Sequence, residues 1–162
     1  MRTVSAGMSF PIALRGMRGG NFVLICDDSV RFFSSSGEEI SVTSTGGLSL
    51  SYFDVSRNSA IAVSRSDGLG GESRVWAFDN SGAIVYNSTV DIKVIGAAAA
   101  YELSDGAAGY VTDGKSVIKL NSGGAASETA DADGDILKIA DTERGFLACT
   151  AEVAVRLFTG EG

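Results

Sequence analysis

The sequence predicts an all-β protein made of four similar units, each with four short antiparallel strands. An eight-residue pattern that starts with valine and ends with glycine occurs four times, at residues 30–37, 75–82, 117–124 and 155–162. Its valines are separated by 45, 42 and 38 residues (75−30, 117−75, 155−117), a period typical of repeat folds. The chain also contains 44% apolar residues, 21 glycines and one proline, which favours short strands joined by many turns.

The strands of each unit are expected in the same order. The first strands are predicted at 11–14, 48–55, 97–103 and 136–142, and the second at 22–26, 60–63, 108–111 and 146–149. The second strands are continuous apolar runs, which indicates burial of both sheet faces. The valine pattern forms the third strand and its turn. The fourth strands, at 38–44, 83–90 and 125–131, are polar and suit an exposed sheet edge.

This unit of about 40 residues resembles the blade of a β-propeller of the WD40-like or PQQ-like kind, over nearly the whole chain. The Gly-His and Trp-Asp dipeptides of WD40 blades are absent, and Trp76 is the single tryptophan. The resemblance implies one domain over residues 1–162, with blades at approximately 8–45, 46–90, 91–132 and 133–162. Residues 1–7 would supply the missing outer strand of the last blade.

That closure gives a four-bladed ring within one chain, which is the arrangement we expect. The alternative is an open half-ring that pairs with another copy, as a homodimer, or with the other members of a larger complex. An unclosed propeller leaves two apolar blade faces uncovered, so some form of closure is expected.

Composition excludes several classes of function. The formal net charge of −7 argues against nucleic-acid binding, which needs clustered lysine and arginine. The chain has no histidine, so a Ser-His-Asp triad, a Cys-His pair and a histidine-based metal site are excluded. No stretch is long and apolar enough to span a membrane, and the N-terminal apolar run is short for a signal peptide. We therefore expect a cytoplasmic protein in which Cys26 and Cys149 are buried, reduced thiols.

One acidic turn has the spacing of a metal-binding loop. Residues 131–135 read DADGD, and carboxylates at alternate positions around a glycine turn can converge on a hard cation. The turn resembles the start of the calcium loops in integrin-type propeller blades, which implies Ca²⁺ binding by Asp131, Asp133 and Asp135. The distal acid of those loops has no counterpart here, and the ordinary interpretation is a solvated acidic turn without a cofactor.

One loop is longer than its equivalents. Twelve residues separate the end of the second strand from the repeat valine in the second unit (75−63), against 4, 6 and 6 elsewhere. We therefore consider Arg65, Asp67, Glu72 and Arg74 as candidate binding residues on a recognition loop. Its glycines are followed by a strand and not by a helix, so a phosphate-binding loop is not indicated.

The resemblance to propeller blades implies that this loop and the acidic turn share one rim, which then carries an excess of acidic side chains. That excess suits a basic partner or cations, or is ordinary surface charge that keeps the protein in solution. The sequence thus predicts a non-enzymatic scaffold that presents its loops to a protein partner, with an acidic face suited to a basic one. The alternative is a propeller that binds calcium or a small ligand at residues 131–135.

Overall fold

The computed structural model describes residues 9–65, 72–100, 109–142, 145–152 and 155–159. They form fifteen strands, joined in order along the chain, and a short 3₁₀ turn at Arg18–Gly20. The predicted closing strand at residues 1–7 lies outside the described residues. No helix in the described ranges is long and apolar enough to cross a membrane.

The strands make four antiparallel sheets, and each sheet is formed by consecutive strands. The first contains β1 (Pro11–Gly16), β2 (Phe22–Cys26), β3 (Ser29–Phe33) and β4 (Glu39–Ser44); the second contains β5 (Leu50–Val55), β6 (Ser59–Arg65), β7 (Ser73–Asp79) and β8 (Ile84–Val90). The third contains β9 (Gly96–Ala99), β10 (Gly109–Thr112), β11 (Ser116–Leu120) and β12 (Ala126–Asp131). The fourth contains β13 (Ile136–Thr142), β14 (Gly145–Thr150) and β15 (Val155–Thr159). The prediction of an all-β fold with four-stranded antiparallel blades is confirmed.

The core lies between the sheets as three hydrophobic clusters. The first and second sheets share a cluster around Phe32, Trp76 and Phe78, and Phe32 packs on Phe78 with ring centroids 5.3 Å apart. The second and third sheets meet around Ile61 and Val111. The third and fourth sheets meet around Tyr110 and Phe146, with ring centroids 5.0 Å apart. Each inner sheet is therefore covered on both faces, as its apolar runs predict.

Two glycines let neighbouring sheets approach closely at their outer edges. Gly82 follows β7 with φ 79°, and its backbone lies against Phe32 and Ser41 of the first sheet. Gly124 follows β11 with φ 75° and lies against Tyr86 and Ser88 of the second sheet. In each case a serine hydroxyl donates to the glycine carbonyl, at 3.2 Å for Ser41 and 3.0 Å for Ser88. The glycines that end the second and third repeat patterns therefore serve contact between sheets as well as the turn.

Candidate functional site

Two sets of connections meet at one rim of the sheet stack. They are the turns between the second and third strands of each sheet and the connections that lead from one sheet to the next. The Leu50 amide at the start of the second sheet donates to the Asp27 carbonyl in a turn of the first, at 2.9 Å. The Ile136 amide at the start of the fourth sheet donates to the Gly114 carbonyl of the third, at 2.8 Å. Backbone hydrogen bonds thus hold the described turns of this rim at defined positions on the sheets.

We call this face the acidic rim, because acidic side chains outnumber basic ones on it. Its described acidic residues are Asp27, Asp28, Glu72, Asp91, Asp113, Asp131, Asp133, Asp135 and Glu152; its basic residues with described side chains are Arg74, Lys93 and Lys115. All but the half-buried Asp27 are exposed. The excess of negative charge creates a field suited to a cation or to a basic protein surface.

The turn at Asp113 shows how the sequence builds this rim. Oδ1 of Asp113 accepts hydrogen bonds from the amides of Lys115 and Ser116, both at 2.9 Å. Partial burial opposes ionisation of Asp113, but these backbone hydrogen bonds outweigh it and lower the pKa of the carboxyl. Gly114, which stands between Asp113 and Lys115, has φ 97°, a conformation that glycine adopts readily. The carboxylate therefore stays charged while it stabilises its own turn.

The first sheet contributes a second acidic turn. Asp27 Oδ1 accepts from the Phe10 amide at 2.9 Å, and Ser29 donates its hydroxyl to Asp28 Oδ1 at 3.0 Å. Hydrogen bonds from the Ser9 and Ser29 hydroxyls lower the pKa of Asp28. Both carboxylates are oriented by neighbouring groups, and the lowered pKa keeps Asp28 negatively charged at neutral pH.

The predicted calcium loop is occupied by contacts within the chain. Asp131 accepts the Ser116 hydroxyl at 2.7 Å, and Asp135 forms an ion pair with the Lys115 ammonium. Asp133 also interacts with neighbouring groups. Hydrogen bonding and charge from Asp135 raise the pKa of Lys115. Among the described residues, no three histidine, cysteine, aspartate or glutamate side chains lie close enough together to hold a metal ion.

The long loop of the second unit is described only at its ends. Asp67 lies outside the described residues, and Arg65 ends β6, where its backbone pairs with Ser73. Glu72 is exposed at the rim. Arg74 lies at the rim end of β7, just after the loop: its Nε donates to Asn87 Oδ1 at 2.8 Å and its guanidinium stacks on Trp76 at 5.6 Å from the ring centroid. The four candidate residues are therefore not brought together into one site by the described part of the chain.

The ion pair between Lys115 and Asp135 is the rim contact that sequence reasoning missed. The residues are 20 positions apart, and both lie next to turns that the repeat alignment assigns to the same rim. Alignment of the repeats could thus have indicated their proximity, whereas the motif of residues 131–135 alone could not.

No family model and no curated protein matches this chain, but several solved structures are similar to it. BamB from Moraxella catarrhalis has a TM-score of 0.57 and 16% identity, covering 92% of this chain and 42% of its own. BBS1N, solved in complex with ARL6DN, has a TM-score of 0.66 and 11% identity, covering 99% and 55%. The computationally designed Ika4 protein has a TM-score of 0.62 and 13% identity, covering 97% and 95%.

The chain therefore spans about half the length of the two natural structures and nearly all of the designed one. These similarities do not assign the chain to the WD40 family, so the WD40-like character of its repeats stays a resemblance. Together with the four stacked sheets, they show that the chain has a β-propeller fold.

Proposed function

We propose that the protein is a non-enzymatic scaffold whose acidic rim binds a basic surface of a protein partner. The observation that carries this proposal is the charge of the rim, with nine described acidic side chains against three basic ones. Charge of one sign on one face increases the rate of encounter with a partner of opposite charge and orients its approach.

The hydrogen bonds that hold the described turns of the rim support the proposal. Its turns are tied to the sheets by backbone hydrogen bonds such as Leu50 to Asp27, and Asp113 is fixed by two amides of its own turn. A surface whose loops are already ordered loses little conformational freedom when a partner binds, which leaves more of the interaction energy for affinity. Loops on a rigid framework are a common arrangement for recognition.

Two further observations favour recognition over catalysis. The sequence contains no histidine, which excludes the commonest general base and several nucleophile-activating pairs. One of the similar structures, BBS1N, was solved in complex with ARL6DN. A propeller-like chain with a protein partner is thus represented among the structures that this fold resembles, and partner binding is the class of function we assign.

A lysine-rich peptide tests the proposal as a defined basic probe. The rim variant is Glu72→Gln with Asp91→Asn, two exposed positions on the acidic rim. The matched control is Glu38→Gln with Glu128→Gln, two exposed positions away from the rim. Both variants change the formal net charge from −7 to −5. The control also removes the ion pair of Glu128 with Lys119, at 3.5 Å, which lies away from the rim.

We expect the rim variant to weaken peptide binding several-fold and the control to change it little, as measured by titration calorimetry at low salt. Exposed charges contribute roughly 0.2–1 kcal/mol each, so two of them change the dissociation constant by about two- to thirty-fold. Binding should also weaken as salt is raised. Equal effects of the two variants, or binding that is insensitive to salt, would contradict the proposal.

A further inference from the structure

The last sheet of the stack lacks the covering that the front faces of the other sheets have. We call the face turned toward the following sheet the front face and the other the back face. In each sheet, the second-strand residue that pairs with the repeat valine and the residue two positions before it lie on the front face. These pairs are buried in the first three sheets: Val23 and Ile25, Ile61 and Val63, Tyr110 and Thr112. The equivalent pair in the fourth sheet, Leu147 and Cys149, is half-buried.

The back face of the first sheet shows the same difference. The equivalent second-strand pairs on the back faces of the other three sheets are buried: Ala60 and Ala62, Gly109 and Val111, Phe146 and Ala148. In the first sheet this pair is Phe22 and Leu24, and both are half-buried. Leu14 and Val42 lie at the two ends of the row that crosses this face through Leu24 and Arg31, and they are 58% and 51% exposed.

The described residues do not join these two faces to each other. Each of the three hydrophobic clusters connects consecutive sheets, and none connects the fourth to the first. In the described part of the chain, the front face of the fourth sheet and the back face of the first are thus the two outer faces of the stack, and both keep partly exposed apolar side chains.

We propose that a second copy of this chain covers both faces, so that two copies form a closed ring of eight sheets. The fourth sheet of each copy packs its front face on the back face of the first sheet of the other. This joint continues the front-to-back interface that the chain already makes three times within itself. A twofold arrangement satisfies all four uncovered faces, whereas head-to-tail contacts that do not close would produce a filament.

The lengths of the two natural similar structures support this occupant. The chain matches 42% of BamB and 55% of BBS1N, so its four sheets superpose on about half of each of those chains. Two such sets of four sheets together correspond to about the whole of each of those chains. Exposed apolar faces of this kind are typical of interfaces in homodimers. The inference does not depend on the proposed function of the acidic rim.

Solution mass tests the proposal directly. Light scattering across a range of protein concentrations should give a mass of about 33 kDa, twice the 16.6 kDa of the chain. The variant Leu14→Glu with Val42→Glu places two charges on the exposed back face of the first sheet and should give a folded monomer. The control Ile84→Glu changes a side chain of similar exposure, 49%, on the second sheet and should remain dimeric.

Cys149 provides a second readout at the opposite face. Its half-buried thiol should react with a maleimide several-fold more slowly in the dimer than in the Leu14→Glu, Val42→Glu monomer, while the buried Cys26 stays unreactive in both. Circular dichroism and a cooperative melting transition establish that the variants fold. A mass of 16.6 kDa at every concentration, a mass that rises beyond two copies, or an unchanged dimer in the double variant would overturn the proposal.

Discussion

Replacing Gly82 with alanine should destabilise the protein by disturbing the joint between the first two sheets. Gly82 has φ 79°, and an added Cβ would overlap the Ser41 hydroxyl and lie 2.6 Å from Cδ2 of Phe32. The left-handed conformation costs a non-glycine residue about 1–2 kcal/mol. Overpacking against the buried Phe32 adds about 1–3 kcal/mol. We therefore expect the free energy of unfolding to fall by about 2–5 kcal/mol.

Gly46→Ala is the matched control for this experiment. Gly46 has φ 70°, but nothing lies within 4 Å of an added Cβ. It should lose only the conformational contribution of about 1–2 kcal/mol. Urea unfolding of both variants at the same protein concentration measures the difference, which reports contact between sheets alone. Equal destabilisation of the two variants would refute the close packing of Gly82 on the first sheet.

Three further predictions follow from individual side chains. Asp113→Ala removes the acceptor for the Lys115 and Ser116 amides and should lower the free energy of unfolding by about 0.5–2 kcal/mol in thermal denaturation; a change below 0.3 kcal/mol would contradict the role of this turn. The pKa of Asp113 is below its ordinary value of 3.8, so its ionisation stabilises the folded state above that pH. This contribution to the free energy of unfolding is lost as the pH falls through the lowered pKa, and Asp113→Ala should therefore reduce the loss of stability in acid. Calcium at millimolar concentration should leave the melting temperature unchanged, since Asp135 is already paired with Lys115; a rise of several degrees would show a metal site instead. Tyr86→Phe should be neutral or stabilising in urea unfolding, because the buried Tyr86 hydroxyl has no hydrogen-bond partner among the described groups and burial raises its pKa; a loss above 1 kcal/mol would reveal a missed partner.

Repetition made the fold predictable from one sequence. The predicted strands at 22–26 and 136–142 have the bounds of β2 and β13, because apolar runs and glycine turns recur at the same distance in each unit. The second strand of the third unit is less well predicted. Its expected end was Val111, but β10 continues to Thr112, whose hydroxyl donates to the Ser116 carbonyl at 2.8 Å. The end of β10 is thus set by a hydrogen bond across the following turn, and a pattern of apolar residues does not indicate such a bond.

The site was predictable in its location and not in its contacts. Topology alone indicates that turns between second and third strands share a rim with the connections between sheets, and the structure has this arrangement. The pairing of Asp135 with Lys115 and the stacking of Arg74 on Trp76 depend on side-chain positions across strands. Such contacts follow from the register and twist of the sheets, which residue types alone do not specify.

Hydrogen–deuterium exchange with and without the lysine-rich peptide tests the central claim, that the acidic rim is the binding face. We expect slower exchange in the rim turns, around residues 26–29, 90–96, 112–116 and 131–136, when the peptide is bound. The turns of the opposite rim, around 34–38, 79–83 and 121–125, should exchange at the same rate in both states. Slower exchange at the opposite rim, or no change at either rim under saturating peptide, would contradict the account.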